Sequence, residues 1–429
     1  MSFHNTLAYA QQMDEADTLR HFRNEYHIPQ HHGNDCIYFT GNSLGLQPKA
    51  TAAYLNQELA DWAQYGVEGH FHAKRPWFPY HEFLRNSAAN LVGALPSEVV
   101  MMNQLTVNLH LMLTSFYQPT AERYKIIYEY NPFPSDRYAL ASHAYLHGFE
   151  TDDALIELKP SSGSALIKTA DIIKTIETHA DTLALVMIGG VNYYSGQAFD
   201  MQAITLAAHK AGARCGFDLA HAAGNLKLQL HKWNVDFAVW CSYKYLNSGP
   251  GGVAGCFVHQ HHADNFKLPR LAGWWGNDPE TRFEMPETFI PKEGADGWQL
   301  SNAPVMSMAC HRAALDLFDA AGMDALVAKS KMLTNYLEFI IDDVLQKQPN
   351  HNGISIITPR QSDERGCQLS IRIEKNGKKI HQYLTQKGII ADWREPDVLR
   401  VAPVPMYNTF IDVFYFGDAL QQAIAYAGA

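Results

Sequence analysis

The stretch that most constrains this chain runs from Asp236 to Gly252, DFAVWCSYKYLNSGPGG. It opens as an unbroken apolar and aromatic run, the pattern of a strand covered on both faces. Such a strand needs a layer above and a layer below, which favours a mainly parallel α/β sheet. The run reaches one lysine, Lys244, and then breaks into a glycine-rich turn. A lysine there stands where strand gives way to solvent or ligand. An ammonium is costly to bury, and this favours the neutral, nucleophilic amine that Schiff-base chemistry requires. Taken alone, Lys244 reads as a surface lysine at a strand end.

Its upstream partner changes that reading. The segment RCGFDLAHAAG (214–224) reads as a short strand ending on an acid, Asp218, and then a turn. The 26 residues from Asp218 to Lys244 are about one strand-to-strand repeat of a parallel sheet. Both side chains then belong at the carboxyl edge of neighbouring strands, where such sheets bind ligands. A carboxylate there can keep the ring nitrogen of pyridoxal phosphate (PLP) protonated while the lysine holds its aldehyde carbon, a pairing that marks this cofactor.

Length and composition narrow the class. A chain of 429 residues, 47% hydrophobic and 18% charged, suggests two or three domains, or one large domain with a smaller one, and argues against bulk disorder. Its formal charge of −10 and lack of a dense basic run argue against nucleic acid and anionic membranes as partners. The six cysteines include no CxxC pair and read as buried, reduced thiols. The first residues lack a basic segment followed by an apolar one, and no run approaches a membrane span, so a cytoplasmic protein is expected.

Along the chain, residues 6–28 and 49–65 read as helices, and 66–80 as an irregular loop rich in aromatic and histidine residues. Short apolar strands then alternate with helices, Leu183–Ile188 and Phe237–Trp240 being the clearest strands and 200–211 a crossover helix. Residues 305–347 read as a long helix broken near Gly322. The alternation of Cys367, Leu369, Ile371 and Ile373 predicts a half-exposed antiparallel strand. Helix is expected at 376–388 and strand at 389–403.

Smaller signals surround the central pair. Thr106, opening a helical stretch, suits an N-cap and an anion site. Phe133, bracketed by Pro132 and Pro134, is an aromatic fixed in direction and able to stack on a flat ring. GPGGVA (249–254) matches a dinucleotide fingerprint, but a strand rather than a helix follows it, and that reading is rejected. His259, His261 and His262 have no carboxylate or cysteine at a metal-binding spacing, so they read as a solvated turn and no metal site is expected. Arg400 lies inside an apolar strand. It is paired either with a protein acid or with a substrate carboxylate.

Together the motifs resemble the kynureninase family: YFTGNSLGLQPK (38–49), KRPW (74–77), LTVNLHL (105–111), FPSD (133–136), GFDLAHAAGN (216–225), CSYKYLNSGPGG (241–252), GWWG (273–276), SNAP (301–304), ERGCQL (364–369) and RVAPVPMYN (400–408). The resemblance spans nearly the whole chain. It implies the PLP-dependent transferase fold of type I, with a large domain (49–308) built on a mainly parallel seven-stranded sheet. It also implies a smaller α+β domain (309–429) and an N-terminal arm (1–48) packed with it.

The implied reaction is hydrolytic Cβ–Cγ cleavage of L-kynurenine or 3-hydroxykynurenine to anthranilate or 3-hydroxyanthranilate and L-alanine, in tryptophan catabolism or NAD biosynthesis. Lys244, Tyr243 and Asp218 would be catalytic. Leu105, Thr106, Phe133, Pro134, Ser135, Asp136, Asp218, His221, Tyr243 and Lys244 would hold PLP, with Trp274 and Asn302 reaching across a homodimer interface. Ser43, His70, Asn302 and Arg400 would bind substrate. Gly189 departs from relatives that carry Ser or Thr there. Two rivals share the fold. A cysteine desulfurase needs a mobile loop cysteine, whereas Cys310 reads as helical and Cys367 as strand. An aminotransferase needs a keto-acid partner. A catalytically dead PLP-binding protein would have no need to keep Lys244, Asp218 and Arg400 together.

Overall fold

The computed structural model describes residues 3–161, 164–263, 265–348 and 353–428. Its apolar runs assemble into one seven-stranded sheet. The strands are β1 (Val99–Met101), β2 (Lys125–Tyr128), β3 (Leu155–Glu157), β4 (Leu183–Gly189), β5 (Arg214–Asp218), β6 (Phe237–Trp240) and β7 (Gly255–Val258). Their spatial order is β1-β7-β6-β5-β4-β2-β3. Only β7 runs against its neighbours, β1 and β6, and the remaining pairings are parallel. Every residue of β4, β6 and β7 is buried, as continuous apolar runs require. The helices α1 (Leu105–Phe116), α2 (Pro134–Leu146) and α3 (Met201–Lys210) belong to the same unit. Asp200 caps α3 by accepting from the Ala203 N–H at 2.9 Å. Packing is close at Gly216, where a Cβ would lie 2.1 Å from the Phe237 ring.

The chain divides into two compact units. The larger contains Thr51–Tyr193 and Phe199–Asp316; the smaller contains Met1–Ala50, Tyr194–Ala198 and Leu317–Ala429. The core of the larger unit joins Leu109, Met112 and Phe116 of α1 to Ile126, Leu185, Phe237 and Trp298. The smaller unit is built on an antiparallel sheet of β8 (Ile354–Ile356), β9 (Leu369–Ile373), β10 (Asp392–Arg394) and β11 (Val398–Val401), ordered β8-β9-β11-β10. Its core gathers Leu337 and Ile340 of α4 (Met323–Gln346), Ile371, Leu399, and Phe416 and Leu420 of α6 (Phe410–Gly428), with Ala10 and Phe39 from the N-terminal segment. The helix α5 (Gly377–Gln386) adds Ile380 and Leu384.

Four local expectations need correction. The first helix stops at Ala16, because the Asp17 carboxylate accepts from the Leu19 N–H at 2.9 Å and closes a turn; a 3₁₀ helix, Arg20–Glu25, follows. Residues 66–72 form short helical turns rather than irregular loop. The strand 369–373 is not half exposed: Ser370 is buried and its hydroxyl donates to the Tyr194 carbonyl at 2.6 Å, so a polar residue sits on a covered face. Thr106 is not an N-cap, since Gln104 takes that place and Thr106 is the second helical residue.

Candidate active site

The carboxyl ends of β2, β4, β5 and β6 meet at a cavity of about 160 Å³, lined among others by Thr106, Glu129, Phe133, Asp136, Gly189, Asp218, His221, Tyr243 and Lys244. Lys244 lies past the end of β6, in a turn that the buried Ser242 fixes. Ser242 Oγ bonds to Ser248 Oγ at 2.5 Å and donates to the Val253 carbonyl. Asn247, at φ 56°, closes the turn with its N–H on the Lys244 carbonyl at 3.1 Å. The amine of Lys244 stands 3.1 Å from His221 Nε2 and 5.8 Å from the centre of the Phe133 ring.

Asp218 is the last residue of β5, in register with Gly189 of β4 and Val239 of β6. Its carboxylate accepts from the Ala220 N–H at 2.7 Å. Burial lifts its pKa, and the Lys244 charge and the Ala220 N–H pull it back. Asp136 is raised well above the ordinary range, by burial first and then by the charges of Asp218 and Glu129. The hydrogen bond between the two carboxyl groups raises Asp136 further and lowers Asp218.

Glu129, two residues past Ile127 in the strand sequence, was not anticipated. It reads in sequence as an acid at a strand end, with nothing to tie it to residue 189. The structure buries it and lets its Oε2 accept from the Gly189 N–H at 2.7 Å. Burial, only partly offset by that bond, pushes its carboxyl up to about 7. This accounts for the missing side chain at Gly189, where a Cβ would stand 2.8 Å from Glu129 Oε1. Tyr193 was also missed; its ring meets Phe133 edge-on at 5.4 Å.

Both helix starts that border the cavity lack a side-chain cap. Leu105 and Thr106 open α1, and Phe133 caps α2 with Pro134 as its first residue. Their first-turn N–H groups are donors for an anion. Ser135 and Asp136 line the cavity from α2, while Pro134 does not. Tyr243 is half-buried, and burial, with Cys241 close by, raises its hydroxyl pKa, so it keeps its proton at neutral pH.

The remaining candidates lie elsewhere. His70, Trp274 and Asn302 do not line the cavity. His70 bonds through Nδ1 to the Val67 carbonyl at 2.9 Å, and Trp274 is 42% exposed. Arg400, buried on β11 of the smaller unit, pairs with Asp392, the protein acid that the sequence left open as its partner. Ser43 Oγ donates to the same carboxylate at 2.7 Å. Against the cost of burial, Arg400 and Ser43 hold Asp392 below the usual carboxylate range.

An amine nucleophile, an acid facing it, a fixed aromatic ring and uncapped N–H groups fit what PLP presents: an aldehyde, a ring nitrogen, a flat ring and a phosphate. Comparison with known proteins agrees. Residues 326–420 match the family model described as the kynureninase C-terminal domain. A kynureninase of Flavobacterium psychrophilum is 51% identical over 99% of both chains, and one of Flavobacterium johnsoniae is 50% identical over 99% of both. Among solved structures, C-DES with glycine covalently linked to its PLP cofactor superposes with a TM-score of 0.75 at 15% identity, covering 90% of this chain and 96% of its own. That likeness shows the fold.

Proposed function

The chain belongs to the kynureninase family, and we propose that the cavity around Lys244 is where its chemistry takes place. The protein is a PLP-dependent hydrolase that cleaves kynurenine in tryptophan catabolism. The observation that carries the residue assignment is the convergence of Lys244, Asp218 and Phe133 on one cavity at the strand ends.

Bound there, PLP supplies an electron sink for bond breaking beside a substrate amino group. Lys244 would hold the cofactor through its amine, and that amine is the base placed to take the proton from the substrate α-carbon. His221 Nε2, 3.1 Å away, holds that amine in place. Asp218 would pair its carboxylate with the ring nitrogen of the cofactor, and the hydrogen bond it shares with Asp136 favours its charged form. Phe133 gives the ring a face. Leu105, Thr106 and the first turns of α1 and α2 take the phosphate. Tyr243, which keeps its phenolic proton, is the acid for the product-forming steps. In the smaller unit Arg400, with Ser43, offers the fork geometry that a substrate α-carboxylate needs.

Three finer readings accompany this one. His70 and Asn302 can hydrogen-bond a phenol, which supports 3-hydroxykynurenine as a substrate and a place in NAD biosynthesis. A homodimer is supported by exposed aromatics of the larger unit: Phe71 and Phe283 stack on Phe78, with ring centres 6.1 and 5.8 Å away, and Trp274 meets Phe283 at 5.4 Å. A cytoplasmic setting is supported by six free cysteines, and no helix among the described residues is long and apolar enough to cross a membrane.

Purified, PLP-loaded protein given kynurenine should yield fluorescent anthranilate and an equal amount of alanine without any keto acid. Lys244→Ala should lose at least about a thousandfold in rate, the scale of a lost acid–base group and nucleophile combined. A coloured wild-type enzyme that yields neither product would overturn the reading. A kcat/KM for 3-hydroxykynurenine no greater than for kynurenine would overturn the phenol assignment alone.

A further inference from the structure

The amino edge of the larger sheet carries a second cluster that the chemistry above does not use. Glu98 ends the 3₁₀ turn Pro96–Glu98 before β1, His259 follows β7, and His231 lies in the connection between β5 and β6. We propose that Glu98, His231 and His259 bind one divalent transition-metal ion of the zinc class.

The donor set is two imidazoles and a carboxylate, a combination zinc accepts. The three ligand atoms lie within 4.8 Å of one another. A tetrahedral ion with bonds of about 2.0–2.2 Å holds its ligand atoms about 3.3 Å apart. His231 Nδ1 is 2.9 Å and His259 Nδ1 3.8 Å from the same Glu98 Oε1, so the two separations bracket that value.

The surroundings orient the ligands as outer-shell partners do at metal sites. His259 Nε2 donates to the His231 carbonyl at 3.1 Å, which leaves the Nδ1 lone pair on the side of Glu98. Without an ion, that lone pair accepts a long bond, 3.3 Å, from the His261 N–H. Glu98 is held by the Leu95 N–H on Oε2 and the Gln260 N–H on Oε1, each at 2.8 Å. It is fully buried, and no lysine or arginine pairs with it among the described residues. A buried carboxylate met only by imidazoles and amides has charge to give to a cation.

His231, its side chain 34% exposed, opens the site to water for entry and for a fourth ligand. The ion takes the place of the Nδ1 hydrogen, and the ring carries its proton on Nε2, so the imidazole stays neutral. The geometrically similar group His81, Glu82 and Asp296 differs on the decisive point. Arg85 and Lys292 already occupy Asp296, at 2.5 and 2.6 Å.

The test uses tag-free, PLP-loaded enzyme titrated with Zn²⁺ alone and, for its absorption spectrum, with Co²⁺ alone. One equivalent per chain should bind, with the visible bands of four-coordinate cobalt, and Zn²⁺ should raise the melting temperature. His231→Ala, at a half-exposed position, should weaken Zn²⁺ binding at least about tenfold, since disturbing even an outer-shell partner costs that much. Cofactor absorbance and kynurenine turnover should stay as in wild type. No saturable binding, or a His231→Ala titration identical to wild type, overturns the site; the second result would place the ion on other surface histidines.

Discussion

Asp218 and Asp236 are buried aspartates on opposite edges of one sheet, and their surroundings are opposite too. Asp218 closes β5 at the carboxyl edge. It accepts from the Ala220 N–H, its neighbours Asp136 and Glu129 are also acids, and its pKa rises with burial. Asp236 sits just before β6 at the amino edge. It accepts from His209 and His262, both at 2.8 Å, from the Cys215 N–H at 2.8 Å and from Arg214 at 3.1 Å. Those donors outweigh the cost of its burial and hold its pKa well below the ordinary range. A carboxylate whose lone pairs are all met is structural material. One left short of donors is available to a ligand, and here the available one faces Lys244.

Exchanging the two charges should separate the roles most sharply. Asp218→Asn keeps the shape but loses the anion proposed to pair with the cofactor, so kynurenine turnover should fall by about 10² to 10⁴ with little change in melting temperature. An Asp218→Asn enzyme with normal turnover would break the comparison. The converse is Asp236→Asn. Its amide would turn a donor toward donors already in place, costing about 2–4 kcal/mol of stability while leaving kcat/KM within about twofold. Because the folded pKa of Asp236 is depressed, its contribution is complete above the unfolded value of about 4 and is lost as pH falls below that toward the folded value. Wild-type melting temperature should therefore drop below about pH 4 more steeply than that of Asp236→Asn.

Glu129 gives an effect of the opposite sign. Its folded pKa, about 7, lies above an unfolded value of about 4.3. The folded state then binds the extra proton, and stability falls as pH rises from about 4.3 to 7. Glu129→Gln still accepts from Gly189 but cannot ionise. At pH 8 it should be more stable than wild type by up to about 4 kcal/mol, and at about pH 4 the two should nearly match. A Gln variant less stable than wild type at pH 8 would show that Glu129 is met by charge the cavity description omits.

What the sequence disclosed follows from these local rules. Lys244 and Asp218 were legible because each ends or follows a strand whose apolar run has no other explanation, and because their spacing equals one crossover. Glu129 was not legible. Its significance comes from a neighbour 60 residues away, Gly189, and a strand-end acid normally faces solvent. The ligand set at 98, 231 and 259 was hidden for the same reason: His259 looked unpartnered because its carboxylate arrives from before β1. The antiparallel turn of β7 also placed His259 beside Asp236 and β1, which no spacing rule reports. Helix ends were misjudged where one side chain decides them, as Asp17 does by closing its own turn.

The way the chain is threaded has a consequence for its synthesis. The smaller unit draws on both ends of the polypeptide, Met1–Ala50 and Leu317–Ala429, while the sequence of the larger unit is interrupted by Tyr194–Ala198. Ala10 and Phe39 leave the ribosome early, yet their core partners, from Leu333 to Ala427, leave last. For nearly the whole of translation the first fifty residues wait with uncovered apolar surface, at about 5–20 residues per second. A nascent chain threaded in this way leaves Ala10 and Phe39 without their core partners until Leu333–Ala427 have been made.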